Sequence, residues 1–426
     1  MSKGGLNLPK QLAKGVWLNV IPTTQFKTIS MTVDFIAPGN VRELSNRILL
    51  AQLLETSSAD YPTQTSLAQK LSMMYGASYG VNVFRYGLQE GLRFSSTIIN
   101  DHFIGGESLL NEMVNFLHSV IYRPLINDDA FETVTFARQK QNLLAYLKSL
   151  NDDKQYYVEQ QLSQLYFKNE PFFATSLYGD AETINGITAH NLYAIYQHLL
   201  ATNQVQITVA GDVSEADLVA ALTNWQLKDR QVQTSELIYR RPETEIVSKT
   251  EGQPLQQSKL NMAYKLPVYY RDADFYKALV FNGLFGGTPI SMLFKNVREK
   301  NSLAYYASSR FDGFTGTLLV QTGIDQSNEA AVKTIIAQQL DAIANGQFSE
   351  EVFNQVVASL INGRESRLDS QRALVNQVML DQLLHSSVSA AEWVKRIKQV
   401  TKEDVAMIAK QVHLQATYFL KGEDAK

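Results

Sequence analysis

Histidine is one residue type in this sequence that could ligate a transition metal, and the chain contains six. Two histidines bind one metal ion from a helix when they lie four residues apart, because that spacing puts both imidazoles on one face. No pair here has that spacing, and His190 and His198 are about two helical turns apart. We therefore expect ordinary surface or half-buried side chains at all six positions, which are His102, His118, His190, His198, His385 and His413.

Other common catalytic groups are also missing. The sequence contains no cysteine, which excludes disulfides, thiolate zinc sites, iron–sulfur clusters and cysteine nucleophiles. It contains no G-x-S-x-G elbow, no P-loop and no dinucleotide-binding fingerprint. Nucleophilic catalysis therefore has no support in the sequence.

A string in the second half of the chain combines two glycines, a predicted helix, an arginine and a tyrosine. Gly286-Gly287-Thr288-Pro289 precedes the predicted helix 291–300, and Tyr305 follows Arg298 by 305 − 298 = 7 residues. A glycine pair before a helix is typical of a turn, so phosphate binding is the weaker interpretation. The string resembles the second-domain signature of the pitrilysin/insulinase family of zinc peptidases, and the resemblance covers essentially the whole chain.

The resemblance implies a substrate-binding role for Arg298 and Tyr305. In active relatives this pair projects toward the catalytic cleft and hydrogen-bonds the substrate backbone or the developing oxyanion, and both side chains are suitable donors for such charge. The structural alternative is that Arg298 closes a helix, where a cation complements the helix dipole, and that Tyr305 starts the next strand. The family-like string favours the functional interpretation.

Active members of the family carry H-x-x-E-H in the first helix of the first half. The histidines bind zinc, the glutamate activates the zinc-bound water, and a glutamate on a later helix supplies the third ligand. Here Gln52 and Thr56 replace the histidines, only Glu55 survives, and the third-ligand position falls at Ala145. These replacements are not usual zinc ligands, so we expect no metal, no other cofactor and no peptidase activity. Glu55 is either a vestigial base or, as we favour, a helix glutamate that faces solvent or pairs locally.

Length and charge limit the classes of protein further. The 426 residues, at about 150 per domain, indicate two to three domains. The 39 basic and 42 acidic residues give a net charge of −3, which argues against a nucleic-acid-binding surface. No apolar run approaches the roughly 18 residues of a membrane span, and the first residues lack the apolar core of a signal peptide. We expect a cytoplasmic protein without a nucleic-acid or membrane partner.

The two halves of the sequence repeat one plan of strands and helices. A helix, a strand and a glycine end each half, and the offsets are 401 − 188 = 213 for the threonines and 422 − 211 = 211 for the glycines. The fronts of the halves also match. The predicted elements are 28–36, 45–56, 66–74, 77–84 and 91–98 in the first half, and 259–264, 275–284, 291–300, 304–310 and 317–323 in the second. Long helical regions follow at about 104–167 and 329–398.

This repetition predicts an α+β protein of two homologous domains, each a mixed sheet with helices packed on it. The predicted boundaries are 1–228 for an N-terminal peptidase-like domain with the degenerate zinc motif, 229–256 for a linker with an opening strand, and 257–426 for a C-terminal peptidase-like domain with the arginine–tyrosine motif. The resemblance implies the LuxS/MPP-like metallohydrolase fold, with the domains arranged as clam-like half-shells.

The chain most resembles the non-peptidase homologues of Gram-positive bacteria, through residues 71–78 (LSMMYGAS) and Asp152-Asp153-Lys154. That subgroup is named for association with elongation factor P modification and occurs beside an active sister peptidase. The implied function is the non-catalytic subunit of a heterodimeric zinc peptidase, which closes the chamber and offers Arg298 and Tyr305 to a peptide substrate. The chain alone could form a homodimer. The alternatives are a structural or binding protein without proteolytic role and a stand-alone peptidase with unusual ligands.

Overall fold

The computed structural model describes residues 9–105, 108–233, 235–300 and 303–423. The chain forms two compact units. The first unit comprises Met1–Lys148, Ser176–Ser235 and Leu368–His385, and the second comprises Ser149–Thr175, Glu236–Arg367 and Ser386–Lys426. Each unit therefore takes in a segment from the other half of the sequence. The domain boundaries 1–228 and 257–426 concern the repeat along the sequence and stay a prediction.

The strands of the described residues are two to eleven residues long. In chain order they are β1 (Lys10–Ala13), β2 (Val16–Pro22), β3 (Thr28–Pro38), β4 (Ser78–Tyr86), β5 (Gln89–Ile99), β6 (Ile126–Asn127), β7 (Ala130–Phe131), β8 (Gln204–Gly211), β9 (Val247–Pro254), β10 (Ser258–Lys265), β11 (Ala304–Asp312), β12 (Thr317–Ile324) and β13 (His413–Glu423).

The helices vary from single turns to five turns. They are α1 (Val41–Thr56), α2 (Gln64–Met73), α3 (Leu109–Tyr122), α4 (Thr133–Leu150), α5 (Lys154–Tyr166), α6 (Pro171–Ala174), α7 (Ala181–Gly186), α8 (Ala189–Thr202), α9 (Glu215–Ala221), α10 (Phe275–Asn282), α11 (Glu329–Ala344), α12 (Glu350–Arg367), α13 (Gln371–Leu383), α14 (Ala390–Gln399) and α15 (Lys402–Ala409). Two segments are π-helical, Gly283–Gly287 and Phe294–Lys300. No helix of the described residues is long and apolar enough to cross a membrane.

The first unit is built on a six-stranded mixed sheet with the order β1-β2-β8-β3-β5-β4. Strands β2 and β8 are parallel, and the other neighbouring pairs are antiparallel. Alternate residues of β3 enter the main apolar core, and the residues between them occupy the opposite, polar face. The core residues are Ile29, Met31, Val33 and Phe35, and the polar residues are Ser30, Thr32 and Asp34.

The second unit repeats this topology. Its five-stranded sheet has the order β9-β13-β10-β12-β11, and the first sheet read from β2 is β2-β8-β3-β5-β4. The parallel pair lies at the same end of both sheets, since β9 and β13 are parallel and the remaining pairs are antiparallel. This confirms the predicted α+β fold with two mixed-sheet-plus-helix halves.

One helix of each half belongs to the unit built on the other half's sheet. Helix α5 follows α4 in the first half of the sequence, yet it packs on the sheet of the second unit. Helix α13 follows α12 in the second half, yet it lies in the first unit, where Asn376 and Met379 contact Arg93 of β5. The chain therefore passes repeatedly between the units.

Some local expectations were wrong in detail. The predicted helical regions 104–167 and 329–398 are series of separate helices, and the first also contains the β6–β7 hairpin. The predicted helix 291–300 is π-helical over Phe294–Lys300. The hairpin formed by β1 and β2 carried no prediction, although it forms the outer edge of the first sheet.

Candidate functional site

Helix α1 carries the three positions that match H-x-x-E-H. The Asn40 side chain caps its first turn by accepting a hydrogen bond from the backbone N–H of Arg42. The helix buries its apolar side chains in the core of the first unit, which leaves Gln52 and Thr56 half-buried and Glu55 exposed. The last turn of α1 therefore brings the three side chains to one end of the helix.

The Thr56 hydroxyl is directed back into the helix. It donates to the carbonyl oxygens of Gln52 at 3.1 Å and Leu53 at 2.9 Å. This is the usual local hydrogen bond of a helical threonine, and the Leu53 carbonyl is one of the last four that the helix end leaves open. The hydroxyl is consequently part of the helix terminus.

Glu55 lies beside the edge strand β4. A Cβ atom placed on Gly80 would be 3.6 Å from Glu55 Oε1 and 3.7 Å from both Asn82 Nδ2 and Ser95 Oγ. The side chains of Glu55, Asn82 and Ser95 therefore all approach the Cα of Gly80. Although the residue as a whole is exposed, desolvation by these neighbours raises the pKa of the Glu55 carboxyl. The neighbouring Tyr79 hydroxyl donates to the carbonyl of Leu54 at 2.9 Å, which ties β4 to the end of α1.

The side chains at the expected ligand positions do not fit a zinc ion. Ala145 is exposed on α4 and offers only a methyl group, and Gln52 and Thr56 offer an amide and a hydroxyl. Over the ranges that the structure describes, no three histidine, aspartate or glutamate side chains come together as a possible metal site. The general-base position Glu55 therefore has no usual zinc ligand at the two positions beside it that match the histidines.

Arg298 lies on the π-helical segment Phe294–Lys300 of the second unit. Its side chain is exposed, and the guanidinium carbon lies 4.7 Å from the centroid of the Phe294 ring. A guanidinium over an aromatic face is attracted by the ring, by about 0.5–1 kcal/mol at an exposed site. Arg298 thus presents its donors beside the Phe294 ring.

Tyr305 occupies a β-bulge at the start of β11. Ala304 pairs with Ile324 and Tyr306 pairs with Gly323, so Tyr305 is the extra residue between them. Its side chain is 62% exposed. Bulges redirect a side chain and are frequent beside functional sites. The sequence placed Tyr305 at a strand start but could not show the bulge.

The two glycines before this motif serve close packing. A Cβ on Gly286 would lie 2.6 Å from the backbone N of Ser309, and one on Gly287 would lie 2.4 Å from Asn282 Nδ2. Side chains at these positions would clash with β11 and α10. The pair forms the end of a π-helix instead of the turn expected from the sequence. Packing, not anion binding, explains the glycines.

A buried ion pair in the first unit was missed by sequence reasoning. Arg47 of α1 and Glu90 of β5 have side chains 4% and 1% exposed, with Nε and Oε1 3.4 Å apart. They line a cavity of about 430 Å³ together with Glu43 and His198. Burial raises the pKa of Glu90 to about 7; Arg47 opposes the shift and Glu43 adds to it. No sequence rule joins two residues 90 − 47 = 43 positions apart.

Comparison with known proteins places this geometry in context. A family profile described as the Peptidase M16 inactive domain matches residues 186–360. A protein of Bacillus subtilis (strain 168) named probable inactive metalloprotease YmfF is 30% identical over 412 residues, which cover 96% of this chain and 96% of that protein.

Solved structures show the same likeness over the full length. A conserved protein from Enterococcus faecalis V583 is 40% identical with a TM-score of 0.93, covering 98% of this chain and 99% of that chain. A peptidase M16 inactive domain structure from Pseudomonas fluorescens has a TM-score of 0.80 at 16% identity, with 98% and 99% covered. The second likeness concerns the fold alone.

Proposed function

The chain belongs to the M16 metallopeptidase family as one of its inactive homologues, and we propose that it is the non-catalytic subunit of a heterodimeric zinc peptidase. In this complex the sister subunit carries an intact H-x-x-E-H motif and holds the zinc. This chain closes the chamber around a peptide and offers Arg298 and Tyr305 to it.

The observation that supports the proposal is the contrast between the two motifs. In the first unit, amide, hydroxyl and methyl groups occupy the positions of zinc ligands, and the Thr56 hydroxyl bonds its own helix. In the second unit, Arg298 and Tyr305 are exposed on irregular backbone that presents them to solvent. This contrast supports a role in which the chain supplies hydrogen-bond donors and the sister subunit supplies the zinc site.

The two donors suit a peptide substrate for different reasons. The guanidinium is charged at every working pH and offers several N–H groups in one plane, which matches a carbonyl or an oxyanion. The tyrosine hydroxyl adds a single neutral donor. Such donors act when they are in position before negative charge develops in the transition state. Neither residue needs a metal ion in its own chain for this role.

The proposal is tested by mixing the purified chain with its H-x-x-E-H sister and following peptide cleavage. We expect no stoichiometric zinc and no cleavage for this chain alone, and cleavage for the mixture. Loss of one oxyanion donor lowers kcat by about 100-fold or more, so Arg298→Ala and Tyr305→Phe should each lower the kcat of the mixture on that scale.

Arg367→Ala is the matched control, because Arg367 is an exposed arginine of the second unit whose Nε donates to the Gly363 carbonyl of its own helix. It should leave cleavage unchanged. Equal cleavage by the Arg298→Ala mixture would refute the donor role. If the sister cleaves equally well without this chain, a structural or binding role replaces the proposal.

A further inference from the structure

The outer edges of the two sheets differ. In the first unit, β1 pairs antiparallel with β2 and covers its outer edge, with Lys10 opposite Leu18 and Gln11 opposite Trp17. In the second unit β9 takes the place of β2, and the sheet ends there with no further strand among the described residues. The same position is thus filled in one unit and open in the other.

Strand β9 is accessible along this edge. Ser248, Lys249 and Thr250 are exposed, and Ile246, just before the strand, is 61% exposed. In a parallel pair such as β9 and β13, alternate backbone N–H and C=O groups point away from the neighbouring strand. These groups are a template for another strand, and the first unit shows that an antiparallel strand fits there.

The sequence of the edge strand is complementary to itself. If two copies of β9 pair antiparallel with Thr250 opposite Thr250, Lys249 of each copy lies opposite Glu251 of the other. Directly opposed opposite charges stabilise an antiparallel pair, and like charges destabilise it. Centring the pair on Lys249 or Glu251 would place like charges opposite each other. The charges therefore select one register.

We propose that β9 is the contact through which two copies of this chain form a twofold dimer, with their β9 strands paired antiparallel and Thr250 at the axis. A twofold contact uses the same surface on both subunits, as this self-complementary strand allows. In this register Val247 lies opposite Gln253, and the exposed Ile246 lies opposite Pro254 of the second copy. Proline lacks a backbone donor, so it ends the pairing at both ends.

The second unit already holds the charged partner in place. Glu251 accepts hydrogen bonds from Tyr157 at 2.9 Å, from Gln253 at 2.7 Å and from Tyr418. Burial acts to raise the pKa of Glu251, but these hydrogen bonds outweigh it and hold the pKa below its usual value. The carboxylate is therefore anionic at neutral pH. The Lys249 ammonium lies 4.0 Å from the same carboxylate and is half exposed, within reach of a second strand.

The absence of cysteine allows a direct test of the register. Thr250→Cys places one thiol at the proposed axis, where opposed Cα atoms are about 4.5–5.5 Å apart, within the range of about 4.4–6.8 Å that a disulfide spans. Mild oxidation should give a covalent dimer, read by non-reducing electrophoresis and mass spectrometry. Ser248→Cys is the control, because its copies would lie four residue steps, or about 13 Å, apart along the strands. A monomeric Thr250→Cys protein, or equal crosslinking of both variants, would overturn the proposal.

Charge reversal supplies an independent test by sedimentation velocity over a concentration series. Lys249→Glu should shift the wild-type dimer towards monomer, and Lys249→Glu combined with Glu251→Lys should restore it, because opposite charges again face each other. Lys398→Glu, an exposed lysine outside the strand, is the control and should leave dimerisation unchanged. A wild-type chain that stays monomeric throughout, or a Lys249→Glu variant that dimerises like wild type, would refute the contact. The result is independent of cleavage with the sister subunit.

Discussion

The two units share one sheet topology but hold their exchanged helices by different means. In the second unit, α5 packs Val158, Leu162 and Tyr166 against an apolar patch of the sheet. In the first unit, α13 lies over a buried ion pair in which Arg93 Nη2 and Asp34 Oδ2 are 2.8 Å apart. Beneath the exchanged helix, the sheet of the second unit thus presents apolar side chains, and the sheet of the first unit presents a buried ion pair.

The difference extends beyond the helices. Two ion pairs of the first unit, Arg93 with Asp34 and Arg47 with Glu90, have both side chains largely buried. In the described part of the second unit, every ion pair has at least one partner that is 30% exposed or more. The stability of the first unit should consequently depend on pairing and on pH more than that of the second.

Removing one partner of the Asp34–Arg93 pair is expected to have the largest effect. Arg93→Ala leaves the fully buried Asp34 carboxylate unpaired, which costs about 3–5 kcal/mol. Burial already raises the pKa of Asp34, with Arg93 acting against it. Without Arg93 nothing opposes the rise in the pKa of Asp34, and the cost of burying the ionised carboxylate grows as pH rises. The loss of stability caused by Arg93→Ala should therefore be smaller at pH 5 than at pH 8.

Urea unfolding at the two pH values measures this effect, with hydrogen exchange to locate it in the first unit. The double variant Asp34→Leu/Arg93→Met is the comparison, because replacing both charges with apolar groups is often neutral. If Arg93→Ala destabilises no more than the double variant, the buried pair is not what holds this face together.

The apolar attachment of α5 should respond differently. Leu162 is about 1% exposed, and truncation of a buried leucine costs about 2–5 kcal/mol through lost burial and the cavity left behind. Leu162→Ala should therefore destabilise the second unit by about 3 kcal/mol, equally at pH 5 and pH 8. Gln164→Ala on the same helix is exposed and should stay within about 0.5 kcal/mol of wild type. A strong pH dependence of the Leu162→Ala loss would contradict the contrast drawn between the units.

The Arg47–Glu90 pair gives a smaller, purely pH-dependent effect. The folded pKa of Glu90 is about 7, above its usual 4.5, so the native state binds the proton more tightly than the unfolded chain. The contribution of the protonated Glu90 carboxyl to the free energy of unfolding is fully present below pH 4.5, and it is lost as pH rises through 7. Relative to Glu90→Gln, the wild type should lose about 2 kcal/mol between pH 5 and pH 8. A constant difference between the two proteins across this range, measured by urea unfolding, would exclude the titration.

The sequence was sufficient for those features that depend on local pattern. The alternation in β3 and the helical signals before β8 and β13 predicted elements close to those observed, and their repetition predicted two related halves. The replacements at Gln52, Thr56 and Ala145 were visible because the resemblance supplied positions for comparison. Their roles, and those of Arg298 and Tyr305, stay predictions.

Features that depend on tertiary pairing could not be predicted. Asp34 and Arg93 are 59 residues apart, and they meet because the β3–β5 register places them opposite each other. The exchange of α5 and α13 depends on which sheet offers a matching surface, and helix periodicity carries no such information. The π-helical backbone of Phe294–Lys300 was likewise not visible in the sequence, whose pattern predicted an ordinary helix over 291–300.

The smallest effect concerns the polar contacts at the start of α13. Gln371 Nε2 donates to the carbonyl of Thr28 at 2.7 Å and to that of Ala210 at 3.1 Å, and Gln371 Oε1 accepts from the Thr28 hydroxyl at 2.7 Å. Because water replaces part of these bonds when the side chain is removed, Gln371→Ala should cost about 1 kcal/mol. The loss should show as faster hydrogen exchange in the first turns of α13, with α5 unchanged. Arg372→Ala, at the exposed neighbouring position, should leave both helices unaffected. Equal exchange in wild type and Gln371→Ala would mean that the hydrogen bonds of Gln371 do not hold the first turns of α13, and that the buried side chains further along the helix are sufficient.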